Sequence, residues 1–256
     1  MREVASDVFC AEGTDVNWVL VREGTDLTLI DAGWPGDIPK LEASVRAIRR
    51  RPEDIRGVLL THAHVDHMGA LGHLHARYGI PVYLDPAELG AAAGGRLEQA
   101  SPLDVLARLW RPQVLAWGLR ILGAGALRRP SVPHAQPFPS AGPLDLPGRP
   151  VPVPCHGHTS GHSAYFLPGA GAVATGDALT TADPTTRRTG PQILSPFFAH
   201  APARVPAALD TLAALAADTL IPGHGPTWHG PLADAVALAR TGAGAGAGAG
   251  AANGRA

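Results

Sequence analysis

The chain predicts an α/β fold, and three observations carry the prediction. In its first third, short β-branched runs alternate with segments of helical periodicity. Strands of the same kind return in the last third, after a helical and proline-rich middle. The residues best suited to chemistry fall where these strands end.

The elements follow in order. Residues 16–21 and 27–30 are apolar and β-branched enough to form strands, and Asp31-Ala32-Gly33 ends the second. Ile38, Leu41, Val45 and Ile48 recur at helical spacing, so 37–50 reads as an amphipathic helix. Residues 58–60 form a short buried strand that delivers a histidine-rich motif. A helix over 69–78 and a strand over 81–84 come next. Residues 103–127 read as helical, with Pro112 breaking the run in two because it lacks a backbone N–H. Nine prolines lie within 130–154, which predicts an extended, irregular connection. Strands resume at 151–155, 164–167 and 172–174, followed by a helix over 203–217, a strand over 219–221 and a final helix over 231–240. One domain is therefore expected over 1–241, with a helical and Pro-rich insertion at 97–143. The Gly/Ala alternation of 242–256 reads as a disordered tail.

Composition excludes several classes. A net charge of −1 and a pI near 6.9 give no general attraction to nucleic acid or to anionic membrane. No apolar run reaches the ~18 residues of a membrane span, and the N-terminus has no apolar signal core. Cys10 and Cys155 are too few for a disulfide framework. A cytoplasmic protein acting on a small-molecule substrate is expected. The apolar residues of 103–127, Trp110 and Trp117 among them, would form a lid, pack on the core or make a homodimer interface.

The chemistry concentrates in Thr61-His62-Ala63-His64-Val65-Asp66-His67, answered by Gly157-His158-Thr159, Asp177 and Gly223-His224-Gly225. Side chains at i and i+2 of an extended segment share a side, so His62 and His64 can hold one ion together. Asp66 and His67, at the start of the next helix, can turn to a second. His158 completes the first site and His224 the second. Asp177 has two oxygens and can bridge them. Such nitrogen and oxygen donors suit two divalent ions, with Zn2+ favoured and Fe or Mn compatible.

This series resembles the metallo-β-lactamase-fold hydrolases: Asp31-Ala32-Gly33, then His62, His64, Asp66 and His67, then His158, Asp177 and His224. The resemblance implies an αβ/βα four-layer sandwich with a dinuclear site at the edge of two sheets. It makes Asp31 a residue that orients ligand histidines. Residues 154–162 offer two registers. Pro154-Cys155-His156 is similar to a glyoxalase II run, whereas His158-Thr159-Ser160-Gly161-His162 has the more specific threonine context and selects His158. His156 and His162 then lie behind the ligands or in the pocket, and Cys155 is a buried strand residue. A cysteine stands in place of Asp177 in several true β-lactamases, which argues against that subgroup.

The reaction implied is attack on an ester, thioester or lactone carbonyl by a metal-bridging hydroxide, with Asp66 both ligand and proton relay. Two other readings stand beside it. One is an iron-dependent persulfide dioxygenase, and the other is a non-catalytic binding protein on the same fold. Glyoxalase II itself carries an extra C-terminal domain with basic residues. Here the residues between His224 and the tail hold Arg240 alone.

Overall fold

The computed structural model describes residues 1–140, 142–186 and 188–242. It begins with a hairpin that the sequence did not announce: β1 (Arg2–Ala5) and β2 (Val8–Glu12) are short, and β1 is largely exposed, so neither carries a strong apolar alternation. Then come β3 (Asn17–Glu23) and β4 (Asp26–Ile30), helix α1 (Ile38–Ala47) and β5 (Ile55–Leu59). The helix expected at 69–78 is α3 (Leu71–Tyr78), and a separate short helix, α2 (Val65–Met68), precedes it and contains Asp66 and His67. After β6 (Val82–Leu84) and α4 (Leu89–Ala92), the middle of the chain forms α5 (Pro102–Leu106) and α6 (Pro112–Gly123). Pro112 occupies the first turn of α6, where its missing N–H costs nothing.

Within the proline-rich stretch, β7 (Gln136–Pro137) adds a short edge strand to the first sheet, whose order is β1-β2-β3-β4-β5-β6-β7. The second sheet is built from β8 (Val151–Pro154), β9 (Ser163–Leu167), β10 (Ala172–Gly176), β13 (Thr219–Pro222) and β14 (Trp228–His229), in the order β14-β13-β10-β9-β8. Between β10 and β13 the chain makes a small ribbon, β11 (Thr180–Ala182) with β12 (Thr189–Gln192), and helix α7 (Val205–Ala213). Helix α8 (Leu232–Thr241) ends the described chain, so the tail expected over 242–256 lies outside the described residues apart from Gly242.

Strand alternation assigns the layers. Leu20, Leu29, Val58 and Leu60 face α1 and α3, meeting Leu41, Val45, Leu71 and Leu74. Their neighbours Val19, Val21, Ile30 and Leu59 face the other way, against Tyr165, Leu167, Ala174 and Ile221 of the second sheet. The far side of that sheet, with Val173 and Leu220, packs on Leu209 and Leu212 of α7 and on Leu232 and Val236 of α8. The result is helix, sheet, sheet, helix, the αβ/βα sandwich. Each fully buried Leu or Ile in these three interfaces contributes about 1.5–3 kcal/mol. A fourth cluster seats α6 on the sandwich: Val114, Trp117 and Ile121 contact Val16, Trp34 and Val65. Leu103 of α5, Leu119 of α6 and Trp110 in the turn between them are exposed. Among the described residues, no helix is long and apolar enough to cross a membrane.

Candidate metal centre

The sandwich brings strand ends together at one edge. β4 runs parallel to β5, and β10 runs parallel to β13. Asp31 follows β4, His62 and His64 follow β5, Asp177 follows β10, and His224 follows β13. The β8–β9 connection supplies His158. The seven residues singled out in the sequence converge here as two donor sets. His62, His64, His158 and Asp177 form one, and Asp66, His67 and His224 form the other, with donor atoms inside each set within 4.8 Å of one another.

Asp177 stands between the sets. Its Oδ2 lies 3.4 Å from His158 Nε2 and 3.2 Å from His224 Nε2, and its Oδ1 lies 3.4 Å from His67 Nε2. A glycine makes this approach feasible: a Cβ on Gly223 would sit 2.3 Å from Asp177 Oδ1. His156 is outside the cluster, half-exposed, with Nε2 3.4 Å from Asp85 Oδ2. His162 lies behind it, where Nε2 accepts the Asp177 backbone N–H at 3.0 Å.

Four of the imidazoles, those of His62, His64, His67 and His224, are turned by partners on their outer sides. Asp31 is buried and left-handed (φ 61°). Its Oδ1 accepts the Thr61 N–H at 2.8 Å, and its Oδ2 accepts both the Thr61 hydroxyl and His67 Nδ1–H at 2.8 Å. The Thr61 oxygen in turn accepts His62 Nδ1–H at 3.0 Å. His64 donates Nε2–H to the Glu98 carbonyl at 2.8 Å, and His224 donates Nδ1–H to the Asp15 carbonyl. These bonds assign the tautomers and leave His62 Nε2, His64 Nδ1, His67 Nε2 and His224 Nε2 with lone pairs inward.

Three inward atoms, His62 Nε2, His67 Nε2 and Asp177 Oδ1, are fully buried and have no hydrogen-bond partner. An unsatisfied buried polar atom costs about 1–3 kcal/mol. Divalent cations satisfy all three at once, so the donor set fits the ions that the sequence suggests. The electrostatics agree. Burial pushes the His62 and His158 imidazolium forms well below their ordinary pKa. Burial also opposes charge on His67 and His224. The carboxylates Asp31 and Asp177 outweigh it at His67, holding that group well above the usual value, and Asp177 followed by Asp66 raises His224 to about 9. Cys155 is a buried thiol raised by burial to about 12, unsuited to ligation or attack.

In the metal-free cluster these carboxylates favour the charged form of His67 and His224, so a cation competes with protons for their inward nitrogens. Zinc titrated into chelator-stripped protein at pH 7.5 is therefore expected to release protons, with affinity rising as pH approaches 9. Calorimetry in buffers of different ionisation enthalpy measures this. Absence of proton release would mean that these nitrogens do not take up the ion.

Two residues the sequence did not mark hold the loops in place. The buried Glu88 carboxylate accepts Ala63 N–H and Gly161 N–H, each at 2.8 Å, and so ties the His62–His67 loop to the His158 loop. Glu98 accepts the Ser160 N–H and hydroxyl at 2.6 and 2.8 Å while its carbonyl turns His64. An acid in a short helical turn, like Glu88, or in an irregular segment, like Glu98, has no sequence pattern that betrays such a role. A cavity of about 400 Å³ opens onto the cluster, touching His64, Asp66, His158, Asp177 and His224 and running beneath α5 and α6.

Known proteins resemble the chain in sequence and in fold. The chain is 29% identical over 204 residues to a hydroxyacylglutathione hydrolase of Dechloromonas aromatica, covering 80% of this chain and 55% of that enzyme. It is 30% identical over 203 residues to the enzyme of the same name from Fuscovulum blasticum, covering 79% of this chain and 60% of the relative. It thus spans less than two thirds of the length of either. Among solved structures, TTHA1623 in a di-iron-bound form is 31% identical, with a TM-score of 0.57 over 86% of this chain and 93% of that one. The Rm3 metallo-β-lactamase, at 22% identity, shares the fold with a TM-score of 0.65 over 93% of this chain and 90% of its own. The family model described as the metallo-beta-lactamase superfamily matches residues 11–224. With the sandwich and the His/Asp cluster at its edge, that match places the chain in the metallo-β-lactamase superfamily of metal-dependent hydrolases.

Proposed function

We propose that the chain is a dinuclear hydrolase of ester, thioester or lactone carbonyls, with zinc as its preferred metal. The observation that carries this reading is the pair of adjoining donor sets with orphaned buried donor atoms aimed into them. His62, His64 and His158 would hold one ion, Asp66, His67 and His224 the other, and Asp177 both. A bound pair of divalent ions supplies Lewis acidity to a carbonyl and brings the pKa of water towards neutrality. The hydroxyacylglutathione hydrolases among the relatives favour a carbonyl substrate.

The chain's own groups do the remaining work. Asp66 is the ligand candidate whose carboxylate is part-exposed and reaches the cavity, so it is placed to accept a proton from water and return it to the leaving group. Asp31 and the carbonyls of Glu98 and Asp15 hold the imidazoles in their working tautomers. The apolar walls around Trp34 and Trp117 limit water at the reacting carbonyl.

Purified protein is expected to carry close to two equivalents of zinc, or of zinc with iron, and to hydrolyse members of a panel of lactones, thioesters and esters. Elemental analysis finding at most one metal under saturating zinc would overturn the dinuclear reading. The relative in di-iron form makes iron a specific alternative. One tightly held iron with oxygen consumption on persulfide substrates would replace hydrolysis with dioxygenation.

A further inference from the structure

We propose that the cavity beneath α5 and α6 is a chain-binding site, and that the substrate carries an unbranched, uncharged apolar acyl chain reaching from the metal centre towards α6. This inference rests on the carbonyl hydrolysis proposed above and adds the substrate class. The cavity has one polar end, the histidine–carboxylate cluster. Away from that end its walls are predominantly apolar, with Val105, Leu109, Trp117, Ile121, Leu194 and Phe198 among them. Its volume of about 400 Å³ lies in the range of small-molecule sites. Among the described residues, no lysine or arginine lines it. Arg120 of α6 is held at the surface by Asp15 at 2.7 and 3.1 Å. A carboxylate on the chain would therefore be buried without a partner, which this site penalises heavily.

Gly118 is the second observation. It lies in the interior of α6, buried and lining the cavity. Glycine is a poor helix former. No backbone reason requires it, because its φ is not in the left-handed region. No packing reason requires it either, because a Cβ would meet only Leu109 Cδ2, at 3.7 Å. What the missing side chain does is keep the cavity open beside the helix.

The test uses the zinc-loaded full chain and a series of neutral thioesters of one small uncharged thiol, from acetyl to dodecanoyl. The ratio kcat/KM is expected to rise about three- to fourfold per methylene, equivalent to ~0.8 kcal/mol each, until the cavity is full. Ending the chain in a carboxylate should erase the gain. Gly118→Leu should lower the dodecanoyl-to-acetyl ratio of kcat/KM by tenfold or more, and Gly118→Ala by less, which covers the case where the larger side chain prevents folding. In metal-free protein, displacement of the neutral probe N-phenyl-1-naphthylamine by 1-dodecanol should weaken by a similar factor in the leucine variant. Hydrolysis with a flat chain-length series, or an unchanged selectivity ratio in both variants, would overturn the proposal while leaving the reaction standing. Alcohol binding that Gly118→Leu abolishes, with no hydrolysis of any thioester, would sink the reaction and keep the cavity.

Discussion

His158→Ala is expected to remove nearly all activity and to empty or weaken the first donor set, whereas His156→Ala keeps most of the metal and part of the activity. The two residues lie in one loop, so general disruption of the loop is similar and the comparison isolates ligation. His158 is buried with Nε2 3.2 Å from His64 Nδ1 and 3.4 Å from Asp177 Oδ2. His156 is half-exposed and meets Asp85 instead. Loss of a group that only supports a ligand typically costs ~10–100-fold, and His158→Ala should exceed that. Metal content and kcat/KM are measured on both variants. Metal lost from His156→Ala but retained in His158→Ala would reverse the assignment.

Glu88→Ala should cost substantial stability. It strips the acceptor from two buried backbone N–H groups, Ala63 and Gly161. At about 1–3 kcal/mol for each unsatisfied group, the loss is roughly 2–6 kcal/mol, a large fraction of a typical stability of ~5–15 kcal/mol. Water entering the vacated space would bring the figure to the lower end. Glu88→Gln keeps one carbonyl oxygen and should fall between. The tie joins the loops that bear His62, His64 and His158, so zinc should also be lost faster to a chelator. Urea unfolding of the metal-free protein and chelator competition of the loaded protein check the two effects. A change under ~0.5 kcal/mol with unchanged zinc retention, as for an ordinary surface site, would show that Glu88 is not a staple.

Much of the architecture was legible along the chain because its causes are local. The strands at β3, β4, β5, β6 and β13 are largely apolar runs of three to seven residues that pack on both faces, and the helix α1 shows its apolar stripe directly. Pro112 marks the start of α6 for a covalent reason. The hairpin β1–β2 and the ribbon β11–β12 were missed. Neither has apolar alternation, and both owe their pairing to neighbours in the folded chain. Trp110 and Trp117 looked alike in sequence, yet Trp117 packs on Phe198 and Trp110 is 80% exposed, a difference set by which side of the helical segment meets the sandwich.

The identity and order of the candidate donor residues can be read along the chain. They sit at strand ends, where the chain must leave the sheet, and side chains two apart in extended backbone necessarily share a side. How those donors are held, and what reaches them, depends on the folded chain. The inward nitrogen of His67 depends on Asp31, 36 residues away, and that of His224 on the Asp15 carbonyl, 209 residues away. Glu88 staples two loops to each other across 73 residues of chain. The cavity exists only where α6 crosses the sheet edge. Long-range contacts of this kind leave no periodic trace, because periodicity records the shape of one element and not the neighbour it meets.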